Sequence, residues 1–348
     1  MRARVAVGVV GAAVLGVSLA SQGGSRLNPM IDLLAARQGV FGLGVPSVGR
    51  GGGPGGFRGA PGGAAAQPAP TPPPAPVTPK TPADLAADAL AHPEADFFFT
   101  AMMERNIDGG SATLIALQDA LAAAGNIRES PTRRLAMPVN SKAPNISIPG
   151  KPTDPAYIAN ISRQLNAGVS SFSFVEVDTA EELRLGIQAM RFASKAGTRP
   201  DDVGNAPKYW GLSEADYRRK ADVWPLNPEG ELVVWAIVES KEGLANVREI
   251  AQVPGLSVLA AGAGTLGGVF STTSAEGRRV RDDAAWEAAI QTVLAACKEF
   301  RKACAYPVSE NDIEARYQQG WNVGILQAFS DAAFRAVAKG RLISGREK

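Results

Sequence analysis

The stretch Glu231–Gly268, ELVVWAIVESKEGLANVREIAQVPGLSVLAAGAGTLGG, decides the fold. Leu232–Val238 is a near-continuous apolar run, the pattern of a parallel strand buried on both faces. Glu239 follows it, at the point where such a strand emerges. Gly243–Ile250 has the helical period, and Pro254-Gly255 stops it. Leu256–Ala261 is the next buried run, after which Gly262, Gly264, Gly267 and Gly268 predict a tightly bent loop. Carboxylates at the carboxyl ends of parallel strands are where a β/α barrel carries its chemistry. The other reading open to Glu239 is an exposed acid capping the next helix.

The same alternation extends on both sides. Upstream, strands are predicted at Val40–Val45, Asp96–Met102, Arg134–Met137 and Val169–Val177; downstream, at Ala303–Pro307 and Trp321–Leu326. Helices fall between them at Pro82–Ala91, Ser111–Ala124, Pro155–Ala167, Asp178–Lys195, Asp282–Lys302 and Ser309–Gln319. Asn28-Pro29 opens a short helix before the first strand, and Ser330–Gly340 closes the chain. With the two strands of the opening stretch, strand and helix alternate about eight times, which predicts one (β/α)8 TIM barrel over residues 26–341. A doubly wound sheet would place Gly-x-Gly-x-x-Gly after the first strand, and Gly42-Leu43-Gly44 is not continued in that way.

Two segments stand outside this core. Residues 1–20, MRARVAVGVVGAAVLGVSLA, have two arginines, a short apolar run and Ser18-Leu19-Ala20 at the cleavage position. They read as a secretory signal, which makes the protein exported, periplasmic or secreted, with no membrane span after cleavage. An uncleaved anchor is the other reading. Residues 49–81 are Gly-rich and then Pro/Ala-rich, and cannot bury enough apolar surface to offset their ordering entropy. They predict a disordered insertion in the first strand–helix connection, on the face of the barrel that carries Glu239.

Lys+Arg number 36 against Asp+Glu 34, so no electrostatic argument for nucleic acid arises. Arg50 and Arg58 within the insertion are too few to change that. In an exported chain Cys297 and Cys304 invite a disulfide reading. Seven residues along one helix span about 10.5 Å, however, which favours two buried free thiols unless the helix breaks before Cys304. Two cysteines and the single His92, read as an exposed helix-end residue, make no ordinary zinc site.

Four segments resemble the HpcH/HpaI aldolase and citrate lyase family: Asn28–Gly44, Asn166–Leu183 (NAGVSSFSFVEVDTAEEL), Gly197–Ala221 with its Trp-Gly and Tyr, and Val234–Gly268. The resemblance implies a phosphoenolpyruvate/pyruvate-type barrel and a carbon–carbon lyase acting on a small oxo or hydroxy acid. It also implies a divalent metal, Mg or Mn, and a homo-oligomer. Carried over residue by residue, the family's metal-binding Glu falls on Glu239. Its second acidic ligand falls on Thr265, next to Gly264, so those two become candidate substrate contacts. The acid–base loop falls on Met102–Arg105, keeping Glu104 and offering Arg105 as an anion-binding group. The Arg that clamps the substrate carboxylate falls on Ala136, and a Gln near the metal falls on Ile237.

One carboxylate with a threonine hydroxyl is a poor set for a hard divalent cation. Arg134 lies two residues before Ala136 and would share its face, which makes it the candidate replacement for the clamp. Lys142 and Lys241, just past predicted strand ends, are candidate Schiff-base lysines if desolvated, the other reading of each being a solvated residue of the mouth. The alternative to a lyase is an exported, non-catalytic barrel that binds a small anionic ligand.

Overall fold

The computed structural model describes residues 26–46, 80–129, 134–145 and 154–346, apart from the side chains of Arg105, Pro144 and Asn145. The signal at residues 1–20 and the insertion up to residue 79 lie outside the described residues. At the insertion's end, Thr81 caps the helix Pro82–Leu90, its hydroxyl and backbone exchanging hydrogen bonds with Asp84.

Eight parallel strands close on themselves: β1 (Val40–Gly44), β2 (Phe97–Thr100), β3 (Val139–Asn145), β4 (Ser171–Val175), β5 (Leu232–Val238), β6 (Leu256–Ala261), β7 (Ala303–Pro307) and β8 (Val323–Leu326). Each pairs with its neighbours in sequence. β1 pairs with β8, and the β4–β5 register Phe172↔Val234, Phe174↔Ala236 completes the ring. All seven residues of β5 are buried, as its unbroken apolar run requires.

Alternate residues of the strands fill the barrel and pack in one cluster: Phe97, Phe99, Val233, Trp235, Ile237, Val258, Ala260 and Val323, among others. The Phe97 and Trp235 rings meet edge to face with centroids 5.5 Å apart. β1 is thin at this level for a reason: a Cβ on Gly42 would stand 2.3 Å from the Phe97 ring. Met30, Ile31 and Leu34 of the helix Pro29–Ala35 join the same cluster and plug the foot of the barrel. Glu231 fixes that plug, accepting hydrogen bonds from the backbone N–H groups of Leu27 and Asn28. A second cluster, between strands and helices, holds Leu114, Leu117, Phe172, Phe174, Leu183, Ile187, Leu259 and Leu294.

Three elements near the mouth differ from the sequence reading. The third barrel strand is Val139–Asn145, and Arg134–Leu135 instead pairs antiparallel with Ile127–Arg128. Asn140, Ser141 and Lys142 deny β3 an apolar run, because its inward side chains are polar. Asn140 donates to Ser171 Oγ at 2.8 Å and accepts from Ser173 Oγ at 2.9 Å, both on the adjacent strand β4 along the lumen wall. The glycine-rich segment after β6 is a helix, Ala263–Val269, since Gly262 alone makes the turn, its N–H bonded to Val238 O. It leads into a hairpin, Ser271–Thr273 with Arg279–Arg281. Glu104 and Arg105 lie in a helical turn, Met102–Arg105, and not in a loop.

Outside the barrel, Asp222 anchors the segment leading into β5. It accepts from Arg191 Nε at 2.6 Å and Nη2 at 3.3 Å, from Asn227 Nδ2 at 2.9 Å and from the Val223 N–H at 2.9 Å. Burial alone would raise its pKa, but the bonds from Arg191, Asn227 and Val223 together hold the carboxyl below the ordinary value. A depressed folded pKa adds stability above the unfolded value and loses it as pH falls through the folded one. Arg191→Met is therefore expected to cost about 3 kcal/mol at neutral pH, and less as the solution is acidified. Urea unfolding across that pH range reads it, and an unchanged neutral midpoint contradicts the assignment.

Candidate active site

The carboxyl ends of β2 to β6 form the barrel mouth. Val233, Trp235 and Ile237 face the lumen, and Glu239, two residues beyond, continues the row. It is only 3% exposed. Its Oε1 accepts the Glu176 N–H at 3.0 Å, while Oε2 has no partner among the described residues. Glu176, just past β4, holds a left-handed backbone with φ of 48°. That conformation is costly for a non-glycine residue and turns the N–H toward Glu239. Gly262 is the other half of the cradle: a Cβ there would lie 2.4 Å from Glu239 Cβ and 2.5 Å from Oε2.

Lys142 enters from β3. It lies two residues past the lumen-facing Asn140, pairs in register with Ser173, and is 3% exposed. Its Nζ stands 3.1 Å from Glu104 Oε2, so β3 and the turn after β2 are joined by an ion pair at the mouth. Burial pushes the Glu239 pKa up; the Lys142 charge, the Thr265 hydroxyl and the Glu176 N–H oppose the rise, and the Glu176 charge adds to it. Gly264 and Thr265 stand on the helix after β6, Gly264 half-buried and Thr265 exposed.

Glu239, Glu104, Lys142, Gly264 and Thr265 thus meet at one end of the barrel. Arg105 shares the turn with Glu104, and its side chain lies outside the described residues.

Arg134 is not brought there. Its neighbour Leu135 donates its N–H to Leu27 O, and Leu27 in turn donates to Glu231, at the opposite end of β5 from Glu239. At about 3.3 Å per strand residue, those two ends are roughly 25 Å apart. Ala136, where the resemblance set the clamp, belongs to the same foot. The basic group that β3 presents to the mouth is Lys142. The signal for it was the period-two row Asn140, Lys142 after Pro138, hidden because a lumen-facing polar row does not look like a strand.

The remaining candidates lie elsewhere. Lys241 is exposed, with its Nζ 6.0 Å from the Phe270 centroid. His92 is not an exposed helix end: it stacks on Phe334 at 3.6 Å and pairs with Glu94 at 3.0 Å. Cys297 and Cys304 are both buried and free, although the helix ends at Glu299 and Cys304 stands on β7.

The described residues of the mouth do not make a donor set suited to a divalent cation. Among the described residues no three His, Cys, Asp or Glu side chains cluster as metal ligands. Glu239 has one oxygen committed to a backbone N–H, Thr265 is neutral, and an ammonium already stands at the site.

The family model for HpcH/HpaI aldolase/citrate lyase matches residues 112–323. A family protein of that name from Burkholderia cenocepacia is 18% identical, with a TM-score of 0.59 over 91% of this chain and 98% of that one. An HpcH/HpaI aldolase from Desulfitobacterium hafniense is 13% identical, with a TM-score of 0.55 over 89% and 93%. The citrate synthase SbnG is 17% identical, with a TM-score of 0.53 over 90% and 96%. At these identities the likeness is one of fold. No curated protein matches the chain.

The cradle makes its own prediction. Gly262→Ala forces a methyl group into Glu239, and is expected to lower stability by about 1–3 kcal/mol, the usual range for overpacking. A thermal melt reads the change, and a variant as stable as the wild type contradicts the close approach.

Proposed function

The chain belongs to the HpcH/HpaI aldolase/citrate lyase family, and on that footing we propose that it is a carbon–carbon lyase. Its substrate class is a small oxo or hydroxy acid, held at the barrel mouth. The observation that carries the reading is the buried Glu239 carboxyl, with one oxygen uncommitted, in the company of the Lys142–Glu104 ion pair. Cleavage of an aldol leaves the bonding electron pair as an enolate. Stabilising that charge is usually the largest catalytic contribution, and the Lys142 ammonium is the buried group able to face it. The hydroxyl proton of the departing aldehyde goes to the Glu239 carboxylate, which returns it to the carbon of the enolate, while Glu104 holds the Lys142 ammonium in place. Gly264 and Thr265 border the bound acid, and Arg105 joins Lys142 in attracting it. The divalent metal implied by the resemblance has no step here, because the donor set does not suit it.

A non-catalytic barrel binding a small anion is the second reading. The observation in its favour is that Lys142 and Glu104 are already committed to each other. In either case the proposed protein is a homo-oligomer, exported through residues 1–20 to the periplasm or the medium. No helix of the described residues is long and apolar enough to cross a membrane.

An aldol assay with pyruvate and a set of small aldehydes separates the two. Turnover by the wild type, falling about 100-fold or more in Glu239→Gln, is expected of the lyase. Silence in the wild type and in Thr265→Asp alike, with pyruvate still bound by calorimetry, contradicts it and supports the binding barrel.

A further inference from the structure

Lys142 and Arg199 are the two cationic side chains buried among the described residues. Arg199 lies outside the barrel, bonded to Asn166 and Tyr217 and stacked over Phe192. Lys142 alone of the two reaches the lumen. A buried ammonium is tolerated only where anions compensate it, and the mouth supplies them from two strand ends. Glu104 stands at 3.1 Å, and Glu239 is turned into the same space by the Glu176 N–H and the missing side chain of Gly262. The cradle around Glu239 is therefore built to hold a carboxylate opposite a fixed positive charge.

A divalent cation at Glu239 would meet three obstacles. It would find one oxygen spoken for, a neutral Thr265 where a second carboxylate is needed, and like-charge repulsion from Lys142.

We infer that the Lys142 ammonium holds, in this chain, the electrostatic place that a metal ion would otherwise take at the mouth. Its charge offsets part of the negative charge of Glu104 and Glu239, and the site works on its acid without a divalent cation. An ammonium is a compact point charge with three N–H donors in all, suited to a carboxylate and a substrate oxygen together. This deepens the proposed lyase reading and rests on it for the identity of the ligand, but not for the charge balance itself.

Manganese titration of the full chain, with free Mn²⁺ read by electron paramagnetic resonance, tests it. The wild type is expected to bind no Mn²⁺ up to millimolar concentration. Lys142→Gln combined with Thr265→Asp, which removes the resident charge and restores a second acid, is expected to bind at least tenfold more tightly than the wild type, and to lose that gain with Glu239→Gln. Stoichiometric Mn²⁺ binding by the wild type, abolished in Glu239→Gln, overturns the inference. So does a folded double variant that binds no better than the wild type. Should the double variant not fold, Thr265→Asp alone decides: it retains Lys142 and is expected not to bind, and Mn²⁺ binding there overturns the inference.

Activity keeps the two claims apart. Turnover unaffected by chelators supports both. Absence of turnover in a protein that binds no Mn²⁺ contradicts the lyase and leaves the ammonium in place. Turnover that requires Mn²⁺ does the reverse.

Discussion

A carboxylate held almost wholly out of water, with one oxygen bonded and the other open, is the constraint on which the mouth of this barrel depends. Glu239 is carried there by the lumen-facing row of β5. Keeping it there requires a backbone N–H from a residue in the left-handed region, a glycine that yields its side-chain volume, and a positive charge within the field of the carboxylate. Each requirement falls on a different strand end: β4, β6 and β3. Only closure of the sheet between β4 and β5 brings these together, so the charge balance of the site and the topology of the fold are one problem.

The two ends of the barrel divide the labour. At the foot, Glu231 accepts two backbone N–H groups from the start of the plug helix and lies near Arg26 and Lys220, so that its polar capacity goes into holding the chain. At the mouth, the corresponding acid of the same strand keeps an oxygen open. A buried polar atom without a partner is costly. Its survival at the carboxyl end of a barrel strand, where such folds carry their chemistry, is what supports the functional role proposed for Glu239.

Much of this was legible in the sequence. The unbroken apolar runs of β5 and β6 need no structure to be read as buried parallel strands, and Glu239 follows directly from the end of the first. What stayed hidden was β3. Its inward residues Asn140 and Lys142 are polar because they line a lumen with Ser171 and Ser173, and a strand of that composition gives no hydrophobic signal. The pattern therefore favours a strand at Arg134–Met137, which directs the carboxylate clamp to Arg134 at the foot and leaves Lys142 only as a candidate lysine past a strand end. The same displacement hid the ion pair with Glu104, which joins residues 38 positions apart. The glycines after β6 misled in another way. Gly262 is there because Glu239 leaves no room for a Cβ, while the glycines after it sit in a helix.

On the proposed reading the mouth presents an ammonium to its ligand where a metal ion would otherwise stand. A crystal structure of the chain soaked together with Mn²⁺ and pyruvate makes that visible. The expected result is the pyruvate keto or carboxylate oxygen within about 3 Å of Lys142 Nζ, Glu239 Oε2 facing the same molecule, and no metal density between them. Mn²⁺ bridging Glu239 and pyruvate, with Lys142 turned away to Glu104, would contradict it.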